Sequence, residues 1–237
     1  MLDTSEDLFT WLEGTPRPSA RPIVTVSYAQ SLDGSIAAPG GGRLTLSGQE
    51  TMQMTHRLRA SHDAIMVGIG TVLADDPQLT VREIEGDNPR PIIVDTHLRT
   101  PPRARVLSAG RPPVIAAADG ADGASGAALL AAGADIRHLP TSSDGLIGLP
   151  GLLSLVGSLD IRRLMVEGGA RLITSFLNAR LVDRVVITIC PCLVGGLHVA
   201  DAVERNASGD FPRLVDSHSA IVGQDIVVWG ALESASP

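Results

Sequence analysis

Aromatic residues are nearly missing from this chain, at 3% of its 237 positions. A core made without them has to come from Val, Ile, Leu and Ala, the composition of buried strands covered by helices. Positive charge is not in surplus either. The net charge of −7 argues against nucleic acid as a partner, because phosphate-backbone binders need a basic face. A small anionic ligand stays open, provided that its site supplies local arginines. Cysteine is scarce: Cys190 and Cys192 flank Pro191, too close for an ordinary disulfide loop and without the partners of a zinc site. Both read as reduced thiols, and a chain without disulfides suits the cytoplasm.

Long apolar runs are lacking as well. The long uncharged stretch at residues 145–159 is broken by glycines and Pro150 and falls short of the ~20 apolar residues that cross a bilayer. The start is acidic over residues 1–13 and has no basic leader region. No membrane association is expected. A zinc-deaminase signature, a nucleophile elbow and a phosphate-loop lysine are also absent. His62, His97, His138, His198 and His218 show no ligand spacing, so no metal is expected.

What is present fits one large α/β domain. Residues 1–21 read as an appendage, a short amphipathic segment (Leu8, Phe9, Trp11, Leu12) better read as a helix packed on the outside of the domain than as a separate turn, followed by a Gly/Pro/Ser linker over 14–20. Residues 22–237 form the domain. Strand-length apolar runs at 23–29, 64–67, 91–95, 114–117, 136–139, 163–166 and 185–189 alternate with helical patterns at 48–60, 69–74, 125–132, 149–157 and 170–179. That alternation predicts a largely parallel sheet with helices on both faces. Residues 214–221 and 224–229 read as a closing antiparallel hairpin around Gly223.

Four places could carry chemistry. In the first, residues 164–177, a strand runs through Glu167-Gly168-Gly169 into a helix. Glycines admit a ligand to the backbone, and the free N–H groups and positive end of a helix attract a pyrophosphate. Ligands of such sheets sit at the carboxyl ends of the strands, where this turn lies, and a carboxylate there needs a polar partner. The second, residues 63–77, repeats the pattern with Gly68 and Gly70 but lacks the third glycine of the dinucleotide fingerprint. Thr71 is placed to cap its helix or meet a ribose or phosphate. Asp75 and Asp76 oppose the dipole at the helix end. The third is basic: His56, Arg57 and Arg59 on one helix, with Arg82 beyond it, a candidate phosphate clamp. In the fourth, Asp95, Thr96 and Arg99 end a strand where a ribose or a 2′-phosphate would be read, although turn chemistry explains Asp95 equally well. Ser31-Leu32-Asp33-Gly34 reads as a structural turn, with Asp33 bonded to loop amides.

Taken in order, Ser31-Leu32-Asp33-Gly34, Leu58-Arg59-Ala60, residues 67–82, Val94-Asp95-Thr96 and Val166-Glu167-Gly168-Gly169 resemble the riboflavin-biosynthesis pyrimidine reductases. These form the C-terminal half of the bacterial bifunctional deaminase-reductase and also occur as stand-alone archaeal and fungal enzymes. The resemblance runs from Arg21 to about Gly196, and residues 68–82 are its most specific block. It implies a dihydrofolate-reductase-like three-layer sandwich, a homodimer, NADPH as the reductant and hydride delivery to C1′ of a pyrimidine ribosylamine 5′-phosphate. By matching position, Arg59, Leu79, Arg82 and Glu167 are the implied substrate residues, with the arginines on the phosphate. Ala29, Thr71, Asp75, Thr96, Gly169, Ala170, Arg171 and Leu172 are the implied NADPH contacts. Asp75 and Glu167 are the two candidates for orienting the sugar or moving a proton.

The chain departs from bifunctional members at Ser27, where they often carry Lys, and at Thr45, where they carry an aromatic. The deaminase half is not in this sequence, so no deamination is expected. Whether the substrate is the diamino or the deaminated pyrimidine stays open. So do a same-fold reductase of dihydrofolate or another pterin, and a nucleotide-binding module without turnover.

Overall fold

The computed structural model describes residues 3–14, 21–42, 44–121, 123–200, 202–205 and 209–233. The linker expected over 14–20 therefore lies, past Gly14, outside the described residues, as does Arg43.

Seven strands form the parallel body: β1 (Ile23–Ser31), β3 (Ala64–Gly68), β4 (Arg90–Val94), β5 (Val114–Ala118), β6 (Asp135–Leu139), β7 (Arg163–Gly168) and β8 (Arg184–Cys190). Their order across the sheet is β8-β1-β7-β3-β4-β5-β6, and the hairpin β10 (Leu214–Val222) and β11 (Asp225–Leu232) joins antiparallel beside β8. Each of the expected strands is present. A short antiparallel pair, β2 (Ser35–Ala37) with β9 (Leu197–His198), was not expected.

Helices cover both faces, because alternate strand residues are apolar on each. On one face α5 (Leu149–Ser158) and α6 (Ala170–Asn178) bury Leu152, Val156, Leu172 and Phe176 against Val24, Val26, Ala64 and Met66. On the other lie α2 (Gln49–Ala60), α3 (Ile69–Asp75) and α4 (Gly123–Ala131). There Ile65, Val67, Ile93 and Ile115 meet Val72 of α3 and Leu129 of α4. Residues 5–14 form the packed helix that the sequence favours, α1 (Ser5–Gly14). Its Leu8, Phe9 and Leu12 pack with Met54 and Leu58 of α2, Met165, Val227 and Trp229.

Asp33 does what a turn residue should. Its carboxylate accepts the amides of Val194 and Gly195 and the hydroxyls of Ser31 and Ser35, and these bonds hold its pKa far below the usual carboxylate range. Cys190 is buried and Cys192 exposed, and both are free thiols. No helix among the described residues is long and apolar enough to cross a membrane.

His62 is buried at the end of α2, with Nδ1 2.7 Å from the Leu58 carbonyl and Nε2 3.0 Å from the Thr25 hydroxyl. Burial pushes its pKa from 6.5 down to about 4, and His56, also buried, falls to about 4 for the same first reason, helped by Arg59 and Arg82. Both rings are neutral when folded, whereas the unfolded chain takes up protons below pH 6.5. Their contribution is thus complete above that pH and is lost as the pH falls towards 4. The melting midpoint at pH 5 is expected to lie about 5 °C below that at pH 7.5. A flat midpoint across that range rules out the neutral-histidine account.

Candidate active site

One cavity of about 1220 Å³ opens along the carboxyl ends of the parallel strands. β1 contributes Ser27, Tyr28 and Ala29, β3 Val67 and Gly68, β4 Val94, β7 Glu167 and Gly168, and β8 Thr188. This is the position where α/β sheets hold ligands, because the strand ends converge there and the loops leave room. Every residue that the sequence nominated for substrate or cofactor lines this one cavity: Ala29, Arg59, Thr71, Asp75, Leu79, Arg82, Thr96, Glu167, Gly169, Ala170, Arg171 and Leu172.

β7 reaches the cavity with Glu167 and Gly168. Met66 pairs with Val166, but Val67 pairs with Gly168, so Glu167 is the extra residue of a bulge. A bulge bends the strand and re-aims the side chain that it leaves unpaired. Here that side chain turns towards α2 and meets Arg59. The guanidinium donates from Nε to one Glu167 oxygen at 2.9 Å and from Nη2 to the other, and its Nη1 donates to the Thr80 carbonyl at 3.1 Å. The fork matches a carboxylate at both oxygens. Burial alone would lower the Arg59 pKa, and the Glu167 charge and hydrogen bonds more than reverse that. Arg59 is only 8% exposed, so this pairing is its principal commitment.

Beyond Glu167 the chain turns away. Gly168 has φ +144° and its peptide bond to Gly169 is cis. A side chain at that φ is strained, and Gly168→Ala is expected to cost roughly 1–3 kcal/mol of stability, read from the urea midpoint. A Cβ on Gly169 would stand 3.0 Å from Thr71 Oγ1, so these glycines let β7 and α3 close upon each other. Gly169 then starts α6 with no side chain capping it and no acidic residue in the first turn. The amides of Ala170, Arg171 and Leu172 begin the helix on the cavity wall, a fit for a pyrophosphate that no side chain among the described residues replaces.

The loop after α3 builds the opposite wall. Asp76 and Leu79 both adopt left-handed φ, 41° and 57°, and fold the chain sharply back so that Thr80 reaches Arg59. The Arg82 amide donates to His56 Nδ1 at 3.0 Å, which leaves the buried His56 Nε2 without a partner. The Val81 amide donates to the Asn88 side chain.

Several expectations are corrected by these positions. Thr71 does not cap α3; Gly68 is the cap position and makes no side-chain bond. Arg57 leaves the basic cluster, because its guanidinium pairs with Glu6 and lies over the Phe9 ring, 3.9 Å from its centroid. It shares the α1 side of α2 with Met54, whereas Arg59 reaches the cavity. Asp95 is a turn residue: it is fully buried, and one of its oxygens accepts the Thr100 amide and hydroxyl. Thr96 and Arg99 do line the cavity, and so do Tyr28, Arg105, Ser142 and Asp144, which the sequence did not single out. Burial raises the Tyr28 pKa to about 12, so its hydroxyl keeps its proton. No cluster that could hold a metal occurs among the described residues.

The model of the RibD C-terminal domain matches residues 22–228. The chain belongs to the RibD C-terminal domain family. Within it, the chain is 39% identical over 217 residues to the 2,5-diamino-6-ribosylamino-4(3H)-pyrimidinone 5′-phosphate reductase of Methanothermobacter thermautotrophicus, covering 88% of this chain and 97% of that one. The reductase of the same name from Debaryomyces hansenii is 38% identical over 247 residues, with 94% and 91% covered. Among solved structures, the Saccharomyces riboflavin biosynthesis reductase Rib7 superposes with a TM-score of 0.75 at 29% identity, over 96% of this chain and 100% of that one. The architecture is the dihydrofolate-reductase-like sandwich of the RibD reductases, with a mostly parallel sheet and antiparallel C-terminal strands.

Proposed function

We propose that this chain is the NADPH-dependent reductase that converts the ribosyl group of 2,5-diamino-6-ribosylamino-4(3H)-pyrimidinone 5′-phosphate to ribityl in riboflavin biosynthesis. The observation that carries this reading is the shared end of β7. Glu167, held by Arg59, lines the cavity, and the next residues lead straight into the uncapped start of α6 on the same cavity wall. Two anionic ligands can thus meet across a single residue, as a direct hydride transfer requires.

Thr71, Thr96 and Gly169 to Leu172 would hold NADPH, which would supply a hydride for C1′ of the opened sugar. The remaining work belongs to the chain. Glu167, fixed at both oxygens by Arg59, orients the sugar hydroxyls. Asp75, half-buried at the end of α3 on the cavity wall, relays a proton to the nitrogen on C1′, so that the carbon–nitrogen double bond of the opened sugar becomes a secondary amine. A homodimer in the cytoplasm is part of the same reading.

The test is NADPH oxidation with three substrates. Turnover is expected with the diamino pyrimidine phosphate, with weaker turnover of its deaminated counterpart. Faster oxidation with dihydrofolate, or tight NADPH binding without turnover of any pyrimidine, would overturn the assignment.

A further inference from the structure

The cavity wall that follows α3 is made of chain without regular structure. Residues 77–89 belong to no helix or strand and make no backbone–backbone hydrogen bond among the described residues. Yet Pro77, Gln78, Leu79 and Arg82 line the cavity, so other contacts have to hold them still. Leu79 is buried in one cluster with Ile69, Val72 and Ile93, and Asn88 accepts the Val81 amide from within the segment itself. The hydrogen bonds that tie the segment to the rest of the described chain run to one face of α2. Arg59 donates to the Thr80 carbonyl at 3.1 Å, and His56 Nδ1 accepts the Arg82 amide at 3.0 Å. Gly86 presses on the same face, where a Cβ added to it would stand 2.9 Å from Ala60 Cβ. Positions 56, 59 and 60 are neighbours on a helix surface, so these contacts form one continuous seam.

His56 differs from the other members of that seam. Arg59 is committed to Glu167 as well, and Gly86 offers contact alone. The His56 side chain is fully buried and is not part of the cavity lining, so it touches neither ligand. To accept at Nδ1, the neutral ring carries its proton on Nε2, and that donor is buried without a partner among the described residues. A buried donor left unpaired lowers stability. Leucine would fill the space without that cost. What the imidazole supplies in exchange is a hydrogen bond from α2 to a backbone amide of the cavity wall.

We propose that His56 is a positioning residue: through the Arg82 amide it fixes residues 79–82 as the substrate-facing wall of the cavity. This rests on the functional reading above for the ligand that the wall faces.

His56→Leu removes the acceptor and the stranded donor together. It is expected to melt within a few degrees of the wild type and to leave kcat and the NADPH Kd nearly unchanged. Its KM for the pyrimidine phosphate should rise about 5–10-fold, the worth of one hydrogen bond. His56→Asn returns an acceptor close to the Nδ1 position and should recover most of that loss. Gly86→Ala, which pushes the same segment off Ala60 and leaves His56 alone, should raise KM in the same direction. Hydrogen exchange reads the hold without any substrate: the Arg82 amide should exchange about 10-fold faster in His56→Leu and return towards the wild-type rate in His56→Asn. A wild-type KM in His56→Leu, whether or not stability falls, or no recovery in His56→Asn overturns the proposal. If the wild type turns over no pyrimidine, the functional reading fails instead, and an unchanged Arg82 exchange rate in His56→Leu would overturn the hold by itself.

Discussion

Glu167→Gln is expected to lower kcat by about two orders of magnitude or more and to destabilise the fold by about 3 kcal/mol. The two effects have one origin. The side chains of Arg59 and Glu167 are only 10% and 19% exposed, and removing one charge leaves the other buried without compensation. The amide can still accept one hydrogen bond, so the variant keeps the geometry roughly and loses the charge. Replacing both partners, Arg59→Met with Glu167→Leu, removes the stranded charge as well, and its stability should lie nearer the wild type than that of Glu167→Gln. Its activity should not recover. Chemical denaturation and initial rates on the same preparations separate these outcomes. If the double variant is as unstable as the sum of the two single ones, the pair is not coupled and this account of Glu167 is wrong.

Asp75→Asn is the second large effect, with kcat falling about 100-fold and KM changing far less. Asp75 makes no hydrogen bond to another side chain among the described residues, whereas its neighbour Asp76 is occupied by the Arg105 amide. A residue that moves a proton acts in the transition state, so its loss appears in kcat. Asp76→Asn, which touches only the hold on the Arg105 amide, should leave kcat nearly unchanged. Equal kcat losses in both variants would point to the helix end as a structural unit and not to Asp75 as the relay.

Much of this was legible in the sequence, and particular residues show why. Strand and helix positions follow from apolar periodicity, which survives in a single sequence because each buried strand has to be apolar on both faces. The Gly168-Gly169 turn was legible because only glycine tolerates the backbone at 168. Partners were less so. Arg57 and Arg59 are equally basic in sequence, and only the docking of α1 separates them: Glu6 and Phe9 take the first, Glu167 the second. The bulge that turns Glu167 towards α2 depends on the register of β7 with β3, which has no local signature. Arg105 lies in a single helical turn after a proline-rich stretch, with no periodicity to mark it. The β2–β9 pair is too short to leave a pattern.

The way α2 is moored has a consequence for how the protein comes into being. Its first turn is tied from the far end of the chain, because Asp225 of β11 accepts the Gly48 amide and the Thr51 hydroxyl, while Glu6 of α1 grips Arg57. The central strand β1 waits too, since its two neighbours are β7 and β8, with Ile23 beside Arg163 and Thr25 beside Arg184. A nascent chain that has not yet released β11 from the ribosome therefore lacks the ties that fix the start of α2, the helix that carries Arg59. Contacts this distant make for slow folding, on the order of milliseconds to seconds, and the catalytic cleft is among the last parts of the molecule to exist.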